Sequence, residues 1–298
     1  MPLPVVDLAP LHTGAPQGGR STVAEIIDAA CSDTGCFVVE GHGIAPEIRA
    51  GVFDAARRLF ALPLADKQQL AIGRSSCDRG YRDDDPETFD LGRDLDDSHP
   101  EVGAGTPLYG PNQWPSIDGF RRVVDAYFAA AFEAAQMVTR GMALALGLDP
   151  AYFTRRMTDS VTSLRLVHHA PTPAGNDAAG CREHADEGLL TLIAQDASAA
   201  TEVRRRDGDW IEVAPEPDQL VVHVGDMMAR WSHDRWVAAV HRNLGPAREH
   251  HHSVPLFVNP DFHCTVQPIV TEGGAGARPP VTAGEHLLAS FAAARADG

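Results

Sequence analysis

HADEGLLTLIAQ, residues 184–195, is the stretch on which the reading of the fold turns. From Leu189 onward it is a short apolar run, long enough for a buried strand and too short for a typical helix. Side chains alternate along a strand, so residues at i and i+2 share a face. His184 and Asp186 therefore point the same way from the edge of that strand, as half of a metal site to which a distant strand can add a third ligand. The pair alone is weak evidence. The chain has 14 histidines, and a His-x-acid pair arises by chance about once or twice at ordinary composition. A second pair, His99-Pro100-Glu101, has a proline between its members, which discourages a regular ladder.

Outward from this stretch the strand period continues. SVTSLRLVHHA (160–170), TEVRRRDGDWIEVA (201–214), QLVVHVGDMMARWS (219–232), RWVAAVHRNL (235–244) and HHSVPLFVNP (251–260) are short apolar or alternating runs parted by Gly, Pro or Asp. An antiparallel sandwich or barrel reads this way, and Asp207-Gly208 marks a hairpin turn within it. The N-terminal part is mixed. LPVVDLAPL (3–11) reads as a strand, TVAEIIDAACSDTG (22–35) as a helix with Thr22 and Glu25 spaced as a capping box, CFVVEGHGI (36–44) as a buried strand and turn, and PEIRAGVFDAARRLFAL (46–62) as a helix opening on Pro46. Residues 73–115 are rich in Gly, Pro and Asp and read as a surface excursion around one short strand, Glu87–Leu91, the kind of segment that covers a functional site. Helical spacing then runs from Ser116 to Gly147, and TAGEHLLASFAAAR (282–295) gives a C-terminal helix that packs on the outside. We expect one domain over 1–298: a mixed α/β part to about residue 158, a β core over about 159–270, and the helix over about 282–295.

Composition sets outer bounds. The 298 residues carry a formal net charge of -16, which argues against nucleic acid or an anionic membrane as partner, since both are bound through Lys and Arg. No basic start followed by an apolar stretch is visible, and no run approaches a membrane span, so the expected location is cytoplasmic. Cys31, Cys36, Cys77, Cys181 and Cys264 are widely spaced without a C-x-x-C pair, and are expected to be free thiols.

The later strand RWVAAVHRNL brings His241 among apolar neighbours. Alone it reads more readily as a hydrogen-bonded core histidine than as a ligand. Together with His184 and Asp186 it makes two imidazoles and a carboxylate, the facial set that non-haem Fe(II) uses for oxygen chemistry.

HADEGLLTLIAQ, GDWIEV, LVVHVGDMMARWS, VHRNL and SVPLFVNP, in that order, resemble the isopenicillin N synthase-like family of 2-oxoglutarate/Fe(II)-dependent dioxygenases. The likeness extends to LPVVDLAPL, GCFVVEGHGI and GTPLYGPNQWP, and so covers nearly the whole chain. It implies a mainly β protein with flanking helices around a double-stranded β-helix, a cupin-like jelly roll. It also implies Fe(II) held by His184, Asp186 and His241, with 2-oxoglutarate and O2 used to hydroxylate, desaturate or cyclise a small molecule. No catalytic residue beyond the metal ligands is implied.

One departure stands out. In that family an Arg-x-Ser on the strand after the distal histidine clamps the far carboxylate of 2-oxoglutarate, and a tyrosine on an earlier strand often assists. Here those positions hold His251, Ser253 and His169. Either 2-oxoglutarate still binds, through a protonated His251 with Ser253, His169 and an inward-reaching Arg165, or the pocket serves a 2-oxoglutarate-independent Fe(II) oxidase. A catalytically silent metal- or ligand-binding protein is the third reading. Alternation puts His250 and His252 on the opposite face from His251, where a solvated strand end is expected. Arg242 should point away from the metal, His223 is either a core histidine or a hydrogen-bonding neighbour of the ligands, His233-Asp234 should form a turn, and Tyr81, Arg82 and Arg93 are expected at the substrate mouth.

Overall fold

The computed structural model describes residues 2–12, 14–15, 18–171, 183–196, 201–243, 249–269 and 278–296. Cys181 lies outside them; Cys31, Cys36, Cys77 and Cys264 are free. In chain order the N-terminal part contains β1 (Val5–Asp7), α1 (Arg20–Asp33), β2 (Cys36–Glu40), α2 (Pro46–Phe60), α3 (Leu64–Gln68), β3 (Gly80–Arg82), β4 (Glu87–Gly92), α4 (Pro100–Gly103) and α5 (Phe120–Ala145). There follow β5 (Ser163–His169), β6 (Leu190–Gln195), β7 (Thr201–Arg204), β8 (Trp210–Val213), β9 (Leu220–Val224), α6 (Asp226–Trp231), β10 (His241–Asn243), β11 (His251–Val258), β12 (Thr265–Val266), β13 (Val281–Thr282) and α7 (Ala283–Ala296).

Eight strands form one wall in the order β1-β2-β9-β6-β11-β5-β4-β3, and β10-β7-β8 form the smaller sheet. Val203 and Val213 of the smaller sheet share an apolar cluster with Val38 and Val221 of the large one. The two sheets thus enclose a jelly-roll interior, flanked by helices on the outer side. The N-terminal part is not set apart from this core, because it contributes four strands to the large sheet.

Strand register decides what enters the interior. On β11, Val254, Leu256 and Val258 are fully buried on the helix-facing side, each contributing about 1.5–3 kcal/mol. His251, Ser253, Pro255 and Phe257 consequently face the cavity. A slip of one residue would expose all three aliphatics, which makes the alternative register costly. Behind the sheet, α5 buries Phe120, Val124, Tyr127, Ala131, Ala135, Val138 and Met142, spaced by three or four residues as one helical face requires.

Four local readings change. Helix α1 starts at Arg20, with Gly19 at its cap in the left-handed region (φ 87) and no side-chain cap. Thr22 and Glu25 therefore lie inside the helix and form no capping box. QLVVHVGDMMARWS is strand only to Val224; beyond Gly225 it becomes α6, which buries Met227, Met228 and Trp231. Of the described residues of RWVAAVHRNL, only His241–Asn243 are strand. The 73–115 excursion holds β3 and α4 besides the expected β4. The hairpin at Asp207-Gly208 joins β7 to β8 as read, with Gly208 at φ 102. Among the described residues no helix is long and apolar enough to cross a membrane.

Candidate metal centre

His184 and His241 sit opposite each other in an isolated antiparallel bridge, each backbone N–H donating to the other's carbonyl, at 3.1 and 2.8 Å. This bridge joins the segment before β6 to the first residue of β10, so residues far apart in sequence share one point of the cavity wall. With Asp186 they can offer one ligand atom each, all within 4.8 Å of one another. Among the described residues this is the one group of three or more His, Cys, Asp or Glu that could hold a metal ion.

Two of the three donors, His241 and Asp186, are prepared for that role. The Nδ1 of His241 donates to the Ala239 carbonyl at 2.9 Å, which leaves Nε2 unprotonated. Burial, with His223 alongside, lowers the His241 pKa to about 3, so the ring is neutral at ordinary pH. Burial pushes the Asp186 carboxyl up, but His223, His241 and Thr191 outweigh it and hold the group well below the usual carboxylate range. Its two oxygens face different neighbours. Oδ1 lies 4.0 Å from His184 Nε2, while Oδ2 accepts a hydrogen bond from Thr191 Oγ1 at 2.5 Å and stands 3.8 Å from His223 Nδ1. Thr191 and His223 are direct partners across β6 and β9. His223 is 1% exposed, and among the described residues neither of its ring nitrogens has a hydrogen-bond partner. Two imidazoles and an anchored carboxylate suit a divalent first-row metal with open positions.

Two glycines let this corner close. A Cβ on Gly225 would meet the Gly188 carbonyl oxygen at 2.0 Å. Their contact brings Asp226 N–H to the Asp186 carbonyl at 2.8 Å, tying the start of α6 to the ligand segment.

His251 and His169 pair across β11 and β5, and Ser253 pairs with Val167 on one side and Gln195 on the other. These residues gather at one end of the cavity. Arg165 is not among them: it lies four residues away along β5, about 13 Å at the rise of a strand, with its Nε bonded to Asp90 Oδ1 at 2.7 Å. His251 is buried enough to lower its pKa, against the pull of Asp196, and among the described residues its Nδ1 has no hydrogen-bond partner. His169 is lowered to about 4 by burial and by His251. Both rings are thus neutral near pH 7, opposite in direction to the standing charge expected for His251.

The remaining histidines of the run are not merely solvated. His168 bonds Glu87 through Nδ1 and His250 through Nε2, both at 2.8 Å. His252 stacks on His168 with centroids 4.9 Å apart. Glu87 in turn binds Lys67 and Tyr81. Alternation correctly placed His250 and His252 off the cavity face, but this polar cluster needed β4 and α3 to complete it. The same cluster takes Tyr81 away from the substrate mouth, and Arg93 pairs with Asp159 instead. Arg82 lies 3.5 Å from Asp90. Arg242 points outward to Glu202 and Trp210 as expected. His233 and Asp234 form a left-handed turn. His99 pairs with Asp159 while Glu101 meets Thr106 and His263, so the second His-x-acid pair is split.

Two family profiles match: the N-terminal domain of non-haem dioxygenase in morphine synthesis over residues 3–117, and the 2OG-Fe(II) oxygenase superfamily over residues 161–260. A 2-oxoglutarate-Fe(II) type oxidoreductase of Emericella nidulans is 29% identical, the match covering 97% of this chain and 89% of that protein. The 2-oxoglutarate-dependent dioxygenase citB of Monascus ruber is 30% identical, over 96% of this chain and 93% of that protein. In fold, the chain resembles a full-length Neurospora crassa protein solved in complex with alpha-KG, at a TM-score of 0.86 and 23% identity, covering 98% of this chain and 96% of the other.

Proposed function

The chain belongs to the 2-oxoglutarate/Fe(II)-dependent oxygenase superfamily, and from that premise we propose that its iron is held by His184, Asp186 and His241 and that its co-substrate is anchored by His251, Ser253 and His169. It is an Fe(II)- and 2-oxoglutarate-dependent oxidoreductase. The observation that carries the residue assignment is the convergence of three ligand atoms within 4.8 Å from two separate parts of the chain.

Bound there, Fe(II) supplies the place where O2 is reduced while 2-oxoglutarate is oxidised to succinate and CO2, the remaining oxidising power passing to the substrate. The protein's own part is to position and to exclude. Asp186 stays ionised and is oriented by Thr191. His241 keeps its lone pair toward the site because Ala239 takes its other proton. Ser253 and His251 receive the far carboxylate of 2-oxoglutarate, with His251 taking up a proton as the anion arrives. Val167, Ile193, Val213 and Val221 line the space between and keep it poor in water. The lack of a basic surface and the cavity within the barrel favour a small-molecule substrate, and we place the enzyme in the cytoplasm. The reaction on the substrate is a hydroxylation, desaturation or ring closure.

The test is an anaerobic titration of the Fe(II) protein with 2-oxoglutarate, followed by the visible charge-transfer band of the chelate. The band should form in the wild type and be lost in Asp186→Ala and His241→Ala, together with iron binding. A band that survives both substitutions refutes the ligand assignment. Oxidised product without succinate would favour the 2-oxoglutarate-independent reading, which the replacement of the clamp arginine by His251 keeps in play.

A further inference from the structure

Arg165 lines the same cavity as the candidate metal ligands but sits at the opposite end from His251. It is the one Lys or Arg among the described cavity-lining residues. The guanidinium is fixed in place. Its Nε donates to Asp90 Oδ1 at 2.7 Å, and its central carbon stands 5.1 Å from the centroid of the Phe257 ring. Asp90 is 5% exposed, and Arg82 approaches its other oxygen at 3.5 Å. Two arginines against one carboxylate leave one positive charge on this trio. Burial works against the Arg165 charge, Asp90 more than offsets it, and Asp186 and Glu187 act on it from the metal side.

One bond to Asp90 uses only the Nε of Arg165. Among the described residues, nothing hydrogen-bonds its two Nη groups. A guanidinium presents two parallel donors along that edge, a fork that matches a carboxylate. In a chain of net charge -16, a single fixed cation inside the cavity is a selective attractor for an anion.

We propose that Arg165 is the specificity-determining residue for the primary substrate, and that this substrate is a carboxylic acid. Its carboxylate takes the Nη edge of Arg165, and its apolar body lies over Phe257 toward His184, Asp186 and His241. Asp90 acts as a positioning residue for the fork. The inference rests on the reading of this cavity as the oxygenase site, and it assigns Arg165 to the substrate and not to 2-oxoglutarate.

The experiment compares matched acids and primary amides: phenylacetate, cinnamate, benzoate and hexanoate, each against its own amide. Binding is read twice, as a shift of the 2-oxoglutarate charge-transfer band under anaerobic conditions and by calorimetry on the protein without 2-oxoglutarate. Wild type should bind at least one acid about 10- to 100-fold more tightly than its amide, the factor expected for hydrogen bonds to a charged group. Arg165→Met should abolish that preference and Arg165→Lys should retain part of it, while 2-oxoglutarate affinity stays within about twofold of wild type in both. Intact 2-oxoglutarate binding also shows that the variants are folded. The proposal is overturned if the amides bind as well as the acids, if no acid binds at millimolar concentration, or if the preference survives Arg165→Met. It is equally overturned if 2-oxoglutarate binding weakens tenfold in the variants, which would return Arg165 to the co-substrate. A wild type that gives no band with 2-oxoglutarate fails the oxygenase reading instead, and the calorimetric comparison still decides this one.

Discussion

His169 and His251 lie face to face across β5 and β11, their ring centroids 4.1 Å apart and their planes within 10° of parallel. They occupy the two positions where the resembling family places a tyrosine and an arginine for a carboxylate. A neutral stacked pair offers hydrogen bonds but no standing charge. His251→Arg should therefore tighten 2-oxoglutarate binding about 10- to 100-fold by restoring a permanent fork. Unchanged affinity in the anaerobic titration would remove His251 from the proposed clamp.

If binding the dianion requires His251 to gain a proton, affinity must depend on pH. The free ring has its pKa lowered below 6.5 by burial, so the protonated fraction shrinks as pH rises above that value. The dissociation constant for 2-oxoglutarate should rise with pH between about 6.5 and 8, by at most about tenfold per unit. In His251→Arg the slope should vanish. A flat profile in the wild type would mean that the neutral rings suffice.

Folding stability should respond in the opposite sense to acid. The His169 pKa is lowered from 6.5 to about 4 by burial and by His251. The unfolded chain therefore binds a proton in this window that the folded chain refuses. Stability from this group is complete above about pH 6.5 and is lost as pH falls toward 4. Urea midpoints measured at several pH values in metal-free protein should fall across that window, and His169→Gln should flatten the decline.

Thr191 and His223 flank the same oxygen of Asp186, one bonded at 2.5 Å and the other at 3.8 Å. Thr191→Val should weaken Fe(II) or Co(II) binding about 10- to 100-fold, as removing a hydrogen-bonding partner of a ligand side chain commonly does. Equilibrium metal titration reads this directly. Wild-type affinity in Thr191→Val would show that Asp186 needs no orienting bond.

Gly225→Ala should destabilise the fold by about 1–3 kcal/mol through overpacking, because the new methyl would meet Gly188 backbone at 2.0 Å. It should also weaken metal binding by displacing the Asp186 segment. Gly18→Ala, which adds a methyl with nothing within 4 Å, serves as control and should leave the chemical-denaturation midpoint unchanged.

The residues by themselves determined most of the strands around the site and the His184–Asp186 half-site, while the family resemblance supplied the jelly-roll class and the third candidate ligand. An alternation of two residues is a local property, so HADEGLLTLIAQ and HHSVPLFVNP disclose which side chains share a face without any knowledge of neighbours. His241 was legible only through family resemblance, since one histidine in an apolar strand carries no sign of its partner. The tertiary structure alone decided the rest. It turned DMMARW into a helix that buries Met227, Met228 and Trp231, and it gathered His168, His250 and His252 around Glu87. It also sent Arg165 away from the clamp to Asp90, a partner 75 positions distant. Periodicity fixes the face of a strand, whereas the end of the cavity that a side chain serves depends on strand pairing and on charges brought in from remote segments.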